Sequence, residues 1–378
     1  MKRPSGCQGR SRQLASVSSP GVIMTRTSSA RGRTSYAMQV SSALALVVVL
    51  TTVSRADTLV LNGSGSTFVQ PIMARWAVAF ARHNPGVEVM YQSLGSGRGV
   101  QDTLHRAVDF GATDDPMSDE ELARVPGMLH IPIALGGVVV VFNLQGVSDL
   151  RLSPEVVARI FMGQVSRWND PAIARENPGV RLPSTPIFVA HRSDGSGTTA
   201  IFTRYMSMAS TEWNSGPGAG RTVQWPAGAG FRGNEGVAGA VSRGDGWVGY
   251  VELGYALQTK LATMSLRSPG GSYLSPSVEA ITLAAARASI PDDFRASLVD
   301  TGGAAWPMSG FTWALIPTHQ TDFRRAKALV EFLWLCTHDG QAIAPDLGFA
   351  PMPASLVGRV EAALRTVRVG SDVVLGAR

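Results

Sequence analysis

Short apolar runs alternate along this chain with stretches whose apolar positions recur every three to four residues, and most junctions between them are rich in Gly, Ser and Thr. The first pattern predicts buried strands and the second predicts amphipathic helices. Leu59-Val60-Leu61 leads into Asn62-Gly63-Ser64-Gly65-Ser66-Thr67-Phe68, after which Ile72, Trp76, Ala79 and Phe80 mark one face of a helix that Asn84-Pro85-Gly86 stops. Thr67 and Phe68 fall at or near that helix's N-terminus. Val87, Val89 and Tyr91 alternate as a strand, followed by Leu94-Gly95-Ser96-Gly97-Arg98-Gly99 and a helix from about Val100 to Arg106. Val108-Asp109-Phe110-Gly111-Ala112 is a third strand, ending in Thr113-Asp114-Asp115-Pro116, and Ser118 and Glu121 have the spacing of a capping box. Ile187-Phe188-Val189-Ala190 is a fourth, feeding His191-Arg192-Ser193-Asp194-Gly195-Ser196-Gly197-Thr198-Thr199 and a helix marked by Ala200, Ile201, Phe202, Tyr205 and Met206.

Ile131 to Asn143 is a longer apolar run with a Gly136-Gly137 break, suited to a strand that crosses between lobes and flexes. Ser153-Pro154 opens a helix ending at Gly163, Asp170-Pro171 opens another, and Trp168 between them reads as a packing anchor. Strand and helix patterns alternate throughout without repeats or low-complexity linkers, which predicts an α/β architecture of mostly parallel sheets, long enough for two domains.

The recurring junction carries the chemistry. A strand, a glycine-rich turn and a helix start leave backbone N–H groups unpaired at the positive end of a helix dipole, an anion cradle to which Ser196, Thr198 and Thr199 add hydroxyls. Arg192 at the strand end offers a planar fork matching two oxygens of a phosphate or carboxylate. Ordinary Ser/Thr caps account for any one of these loops. Four of them, three rich in donors, point to one polyoxyanion held at converging helix N-termini.

Composition changes the picture mainly at the N-terminus. Residues 1–56 hold eight Lys/Arg and no Asp or Glu, with an apolar core from about Ala43 to Val53 and small residues before Ala56. That is a secretory signal, too short in its apolar run to span a bilayer; the true start is expected at Met24 or Met38 and cleavage after Ala56. Removing eight of the 34 Lys/Arg leaves 26 against 28 Asp/Glu, so the basic balance belongs to the discarded segment and no nucleic-acid partner is expected. Cys7 goes with it. Cys336, inside Phe332-Leu333-Trp334-Leu335-Cys336, is then a buried structural thiol. No metal-ligand spacing, lipobox-type cysteine, G-x-S-x-G elbow or H-E-x-x-H helix appears, so neither a metal nor a cofactor is expected. Gly228-Ala229-Gly230-Phe231-Arg232-Gly233, with Glu252 beyond it, fits a dinucleotide pattern, but Pro226 spoils the strand that should precede it. His191 beside Ser196 is the only pairing near the anion loop that suggests a nucleophile and base.

Taken together, Gly63 to Phe68, Tyr91-Gln92 with Gly95-Ser96-Gly97, Asp109 to Asp114, Gly163 through Trp168-Asn169-Asp170-Pro171, Arg192 to Thr198, and Gly249-Tyr250-Val251-Glu252 resemble the phosphate-binding family of type II periplasmic binding proteins, from about Leu59 to about Arg359. The resemblance implies two α/β lobes, each a mixed sheet flanked by helices, joined by crossing segments at Ile131 to Val141 and Met308 to Ile316. Lobe I would be 57–135 plus 309–378, and lobe II 136–308, with the ligand in the cleft between them. It implies phosphate contacts at Thr67, Phe68 (through its backbone N–H), Ser96, Asp114, Arg192, Ser196, Gly197 and Thr198, with Asp194 steadying the arginine. Arg98 departs from the small residue usual there and could raise the local positive potential. The implied role is that of a monomeric periplasmic receptor, not an enzyme, delivering phosphate to a membrane permease. A receptor for another tetrahedral oxyanion, sulfate or molybdate, and a secreted phosphoester hydrolase using Ser196 are the alternatives. Asp114 argues for phosphate, because a carboxylate facing an anion is repulsive unless the ligand brings a proton, and sulfate brings none.

Overall fold

The computed structural model of the protein describes residues 58–376; the expected signal segment and its cleavage after Ala56 lie outside the described residues. The chain opens β1 (Leu59–Gly65), α1 (Gln70–His83), β2 (Val87–Ser93), α2 (Ser96–Leu104), β3 (Phe110–Thr113) and α3 (Asp119–Ala123), and then runs through the long β4 (Met128–Asn143). There follow β5 (Leu150–Leu152), α4 (Pro154–Phe161), α5 (Pro171–Glu176), β6 (Phe188–Arg192), α6 (Gly197–Ala209), α7 (Thr211–Ser215), β7 (Ala229–Phe231), α8 (Gly233–Arg243), β8 (Trp247–Glu252) and α9 (Leu253–Thr259). The chain continues with β9 (Ala262–Arg267), β10 (Tyr273–Leu274), α10 (Val278–Arg287), β11 (Leu298–Val299) and β12 (Met308–Pro317). It closes with β13 (His319–Gln320), α11 (Phe323–Thr337), α12 (Ala354–Leu364), β14 (Arg368–Val369) and β15 (Asp372–Val373).

Eight strands form one hydrogen-bonded path in the order β2-β1-β3-β12-β4-β8-β6-β7, with β5, β9, β10 and β11 paired beside it and β13-β14-β15 in a small separate sheet. The two ends of the path are parallel, as the strand–loop–helix pattern predicts, β1 pairing with β2 and β3 and β6 with β7 and β8. The middle is not. β4 lies antiparallel to β12 over Met128–Gly137 and antiparallel to β8 over Val138–Asn143, so the sheet is mixed, as the family resemblance implied, where the pattern alone predicted mostly parallel pairing. The apolar pattern fixes which residues are buried but not the sense of pairing, since parallel and antiparallel ladders both satisfy the backbone.

β4 is continuous through Gly136 and Gly137, which form no break. A Cβ at Gly136 would lie 2.6 Å from the Phe68 ring, and one at Gly137 would lie 2.8 Å from Ile281. The two glycines make room for a buried phenyl ring and a helix side chain. α2 likewise begins at Ser96, ahead of the expected Val100, despite Gly97 and Gly99 in its first turns. Glycine is a poor helix former, but a Cβ at Gly99 would sit 2.5 Å from the Ala112 carbonyl, so close packing of α2 on β1 and β3 overrides propensity. The capping box at Ser118 and Glu121 forms as expected. Trp168 is fully buried, its indole N–H donating to Gly246 O at 3.0 Å, and Cys336 is buried with burial pushing its thiol well above the usual range.

Candidate functional site

The loops after β1, β2, β3 and β6 end close together because their strands are neighbours or face one another across β12 and β4. Their helices α1, α2 and α6 start there. Gly97 N–H donates to Gly195 O at 2.8 Å, and a Cβ at Gly95 would strike Asp194 Oδ2 at 2.2 Å, so the β2–α2 and β6–α6 loops are pressed together. Gly197, first residue of α6, has room for no side chain: a Cβ would stand 2.6 Å from Asp114 Cβ.

Six of the expected site side chains converge here, all buried: Thr67, Ser96, Asp114, Arg192, Ser196 and Thr198. Gly197 joins them. Ser196 caps α6, its Oγ accepting from Thr199 N at 3.0 Å. The Phe68 backbone N–H, expected to face the anion, donates to Ser66 Oγ at 3.0 Å, while the Phe68 ring packs edge-on against Phe349. Arg98 is exposed and pairs with Asp102 one turn along α2 at 2.8 Å.

Arg192 is held from two sides. Its Nε donates to Asp194 Oδ1 at 2.8 Å and its Nη2 to Asp194 Oδ2, the bidentate arrangement expected of that pair. Burial pushes the Asp194 carboxyl up, but the guanidinium bonds and the Gly233 N–H outweigh it, and the group stays below its usual range. Nη1 donates to Thr198 Oγ1 at 3.3 Å, so one face of the guanidinium is fixed by a carboxylate and the other is aimed among the hydroxyls.

Asp114 is surrounded by hydroxyl donors. Ser66 Oγ donates at 2.6 and 2.7 Å to its two oxygens, Thr312 Oγ1 at 2.6 Å and Ser96 Oγ at 3.1 Å. Burial raises its pKa, the three hydroxyl groups and the Arg192 charge pull it back, and the balance leaves it at about 6. It is therefore an acceptor at neutral pH and a donor in acid.

Ser66 and Thr312 are site-building residues that the spacing of motifs missed, as are Asn234, Tyr91 and Tyr255. Tyr91 OH donates to Ser66 O and Tyr255 OH to Thr67 O, each at 2.7 Å, clamping the β1–α1 turn from two sides. Asn234 was hidden in a motif set aside. The Gly228 to Gly233 stretch is a fifth strand–glycine–helix junction: β7 is short because of Pro226, Gly233 adopts φ +73°, and α8 starts with Gly233 and Asn234 at the site. Glu252, buried, gives Asn234 Oδ1 a backbone N–H at 2.9 Å. His191 stacks on Trp225 at 4.6 Å between ring centres and is no base for Ser196. Beyond the hydroxyls, Arg221 donates to Asp115 at 2.9 Å and to both oxygens of Glu121 at 3.0 and 2.7 Å, and Arg204 donates to Asp115 at 2.9 Å. These ion pairs bridge residues on either side of the site.

The arrangement suits a small tetrahedral anion: a buried guanidinium, helix N-termini and hydroxyl donors, with one carboxylate able to accept a proton from the ligand. Known proteins bear on it directly. The PBP superfamily domain matches residues 37–335. The chain is similar to the phosphate-binding protein PstS of Xylella fastidiosa strain Temecula1, 40% identical over 307 residues that cover 80% of this chain and 84% of the relative. It is equally similar to PstS of Pasteurella multocida, 40% identical over 317 residues, 82% of this chain and 92% of the relative. In fold it resembles the phosphate-binding protein of Stenotrophomonas maltophilia, with a TM-score of 0.62, 18% identity, and coverage of 80% of this chain and 93% of the other.

Proposed function

Since the chain belongs to the PBP superfamily and, within it, to the PstS phosphate-binding proteins, we propose that inorganic phosphate is held where its donor loops meet, by Thr67, the Phe68 N–H, Ser96, Asp114, Arg192, Ser196, Gly197 and Thr198. The protein is the phosphate-binding, substrate-binding component of an ABC transporter, and not an enzyme. A membrane permease is the partner that role requires. The observation that carries the site assignment is the pairing of buried Arg192 with buried Asp114 in one cluster of hydroxyls: the first supplies charge, and the second demands a ligand with a proton to give. Phosphate carries such a proton near neutral pH and sulfate does not.

In this reading the ligand sits between lobes 57–135 plus 309–378 and 136–308, with β4 and β12 crossing between them. The protein is exported with cleavage after Ala56, works in the periplasm and acts as a monomer. Binding takes the Phe68 N–H from Ser66, an exchange that leaves Ser66 wholly to Asp114. Closing the lobes replaces the hydration of the anion by fixed dipoles, and the permease recognises the closed form.

The test is calorimetric titration of phosphate, with sulfate in parallel, into mature protein dialysed free of phosphate. One-to-one binding of phosphate without heat from sulfate is the expected result; equal binding of both anions, or of neither, would overturn the assignment. A steric variant adds a second check. Gly197→Ala places a methyl group against Asp114 in the closed form, an overpacking that costs roughly 1–3 kcal/mol. Phosphate affinity should fall about 10- to 100-fold, while the melting temperature of the phosphate-free protein, read by calorimetry, changes little if the open form leaves space there.

A further inference from the structure

Asn234 is fully buried, the second residue of α8, and its side chain reaches one hydroxyl from the β1–α1 turn and one from the first turn of α6. Its orientation is unambiguous. The Glu252 backbone N–H can only donate, so the atom facing it at 2.9 Å is Oδ1, and turning the amide over would set two donors face to face. Nδ2 therefore donates to Thr67 Oγ1 at 2.7 Å and to Thr198 Oγ1 at 3.1 Å. Each hydroxyl also receives a second donor. The Asn234 backbone N–H reaches Thr67 Oγ1 at 3.2 Å, and Arg192 Nη1 reaches Thr198 Oγ1 at 3.3 Å.

A hydroxyl has one proton and two acceptor lone pairs. Both lone pairs of both threonines are engaged, so each proton is left for an acceptor outside this network. We propose that Asn234 is a positioning residue that fixes Thr67 and Thr198 as obligate donors toward the bound anion. This inference rests on the phosphate reading and deepens it. With the two threonines able only to donate, neither can accept the ligand's proton, and that proton is directed to Asp114. A neutral hydroxyl without such a director could turn and present a lone pair to a protonated oxygen, and the site would then tolerate more than one orientation of the ligand. The same amide joins Thr67 of the β1–α1 turn to Thr198 of α6, so the polarity is set when these two elements come together.

The test is a double-mutant cycle. Phosphate affinity is measured by calorimetry for the unsubstituted protein, for Asn234→Ala, for the isosteric Thr67→Val/Thr198→Val pair, and for all three changes together. Asn234→Ala is expected to lower affinity roughly 10- to 100-fold with the threonines present, and by less than about threefold when valines stand in their place. An equal loss in both backgrounds would mean that Asn234 acts by packing alone, and would overturn the proposal. If Asn234→Ala does not fold, Asn234→Ser takes its place in the cycle. The unsubstituted protein is titrated first: failure to bind phosphate there sinks the phosphate reading and this inference together, whereas phosphate binding with an additive cycle sinks this inference alone.

Discussion

Arg192→Met should weaken phosphate binding by roughly three orders of magnitude while leaving a folded protein. The side chain is 1% exposed and carries the positive charge closest to the hydroxyl cluster. In binding, truncating one partner of a buried, hydrogen-bonded charge pair costs about 2–5 kcal/mol, which at about 1.4 kcal/mol per factor of ten is a loss between roughly 30-fold and 5,000-fold in affinity. The loss has two sources. The anion loses a fork of donors, and Asp194, left with the Gly233 N–H alone, becomes a second negative charge near the ligand. Arg192→Lys separates them. Lysine keeps the charge but cannot reach Asp194 with one face and the hydroxyls with another, so it should recover only part of the loss. Titration calorimetry on the two variants reads the difference directly. Full recovery by lysine would show that charge alone matters and that the planar geometry does not.

Asp114→Asn should change selectivity more than affinity. In the unsubstituted protein a sulfate oxygen at ionised Asp114 puts two acceptors face to face in a desolvated site, a mismatch sulfate escapes only when Asp114 takes up a proton, at a cost of about tenfold per pH unit above its pKa. The amide can offer a proton instead, and the ratio of phosphate to sulfate affinity should collapse to roughly ten. Acid should do the same without mutation. With its pKa near 6, Asp114 in the phosphate-free protein takes up a proton as pH falls through that value and becomes a donor. Sulfate affinity should therefore be highest below about pH 6 and fall roughly 100-fold by pH 8, and in Asp114→Asn it should be nearly independent of pH over the same range. The raised pKa also carries a stability cost. A carboxyl ordinarily near 3.8 that is held near 6 destabilises the folded protein above pH 6, on the order of 3 kcal/mol, and the penalty fades as pH falls from 6 toward 3.8. Phosphate-free Asp114→Asn should accordingly melt higher at neutral pH. Unchanged sulfate rejection in the variant would remove Asp114 from its assigned role.

The four strand–loop–helix junctions were legible because each is local. The apolar run, the glycines and the first helical turn lie within a dozen or so residues, and the physics that makes an anion cradle acts over that span. The residues that complete the site were not legible because they arrive from elsewhere. Thr312 sits in a strand whose neighbours are almost all apolar, and only the antiparallel pairing of β12 against β3 and β4 carries its hydroxyl to Asp114, 198 residues earlier. Its one signal in the sequence is a polar residue within Phe311-Thr312-Trp313-Ala314-Leu315-Ile316, which the hydrophobic pattern absorbs as noise. Asn234 had a signal, the glycine-rich turn before a helix, but the same turn matches a dinucleotide pattern and was set aside on the strength of Pro226. Pro226 does shorten the strand to three residues; it does not remove the junction. Pairing sense in the middle of the sheet was equally hidden, since an apolar run reads the same in either direction.

β4 and β12 pair along Met128–Gly137 and Ser309–Pro317 with a register shift between Thr312 and Trp313, β3 lying beyond β12 at one end and β8 beyond β4 at the other. The twist between paired strands varies widely among sheets, so it can change while the ladder stays intact. If the lobes turn about this pair, the opening angle is stored as elastic twist, and the anion does work against a torsion spring each time it draws the site shut. Thr312 stands at the shift itself and donates to Asp114, so in the proposed reading the spring is fastened to the carboxylate that would face the ligand. Residues of the two strands that never meet phosphate would then set part of its residence time, through the stiffness of the strand pair rather than through any contact with the ligand.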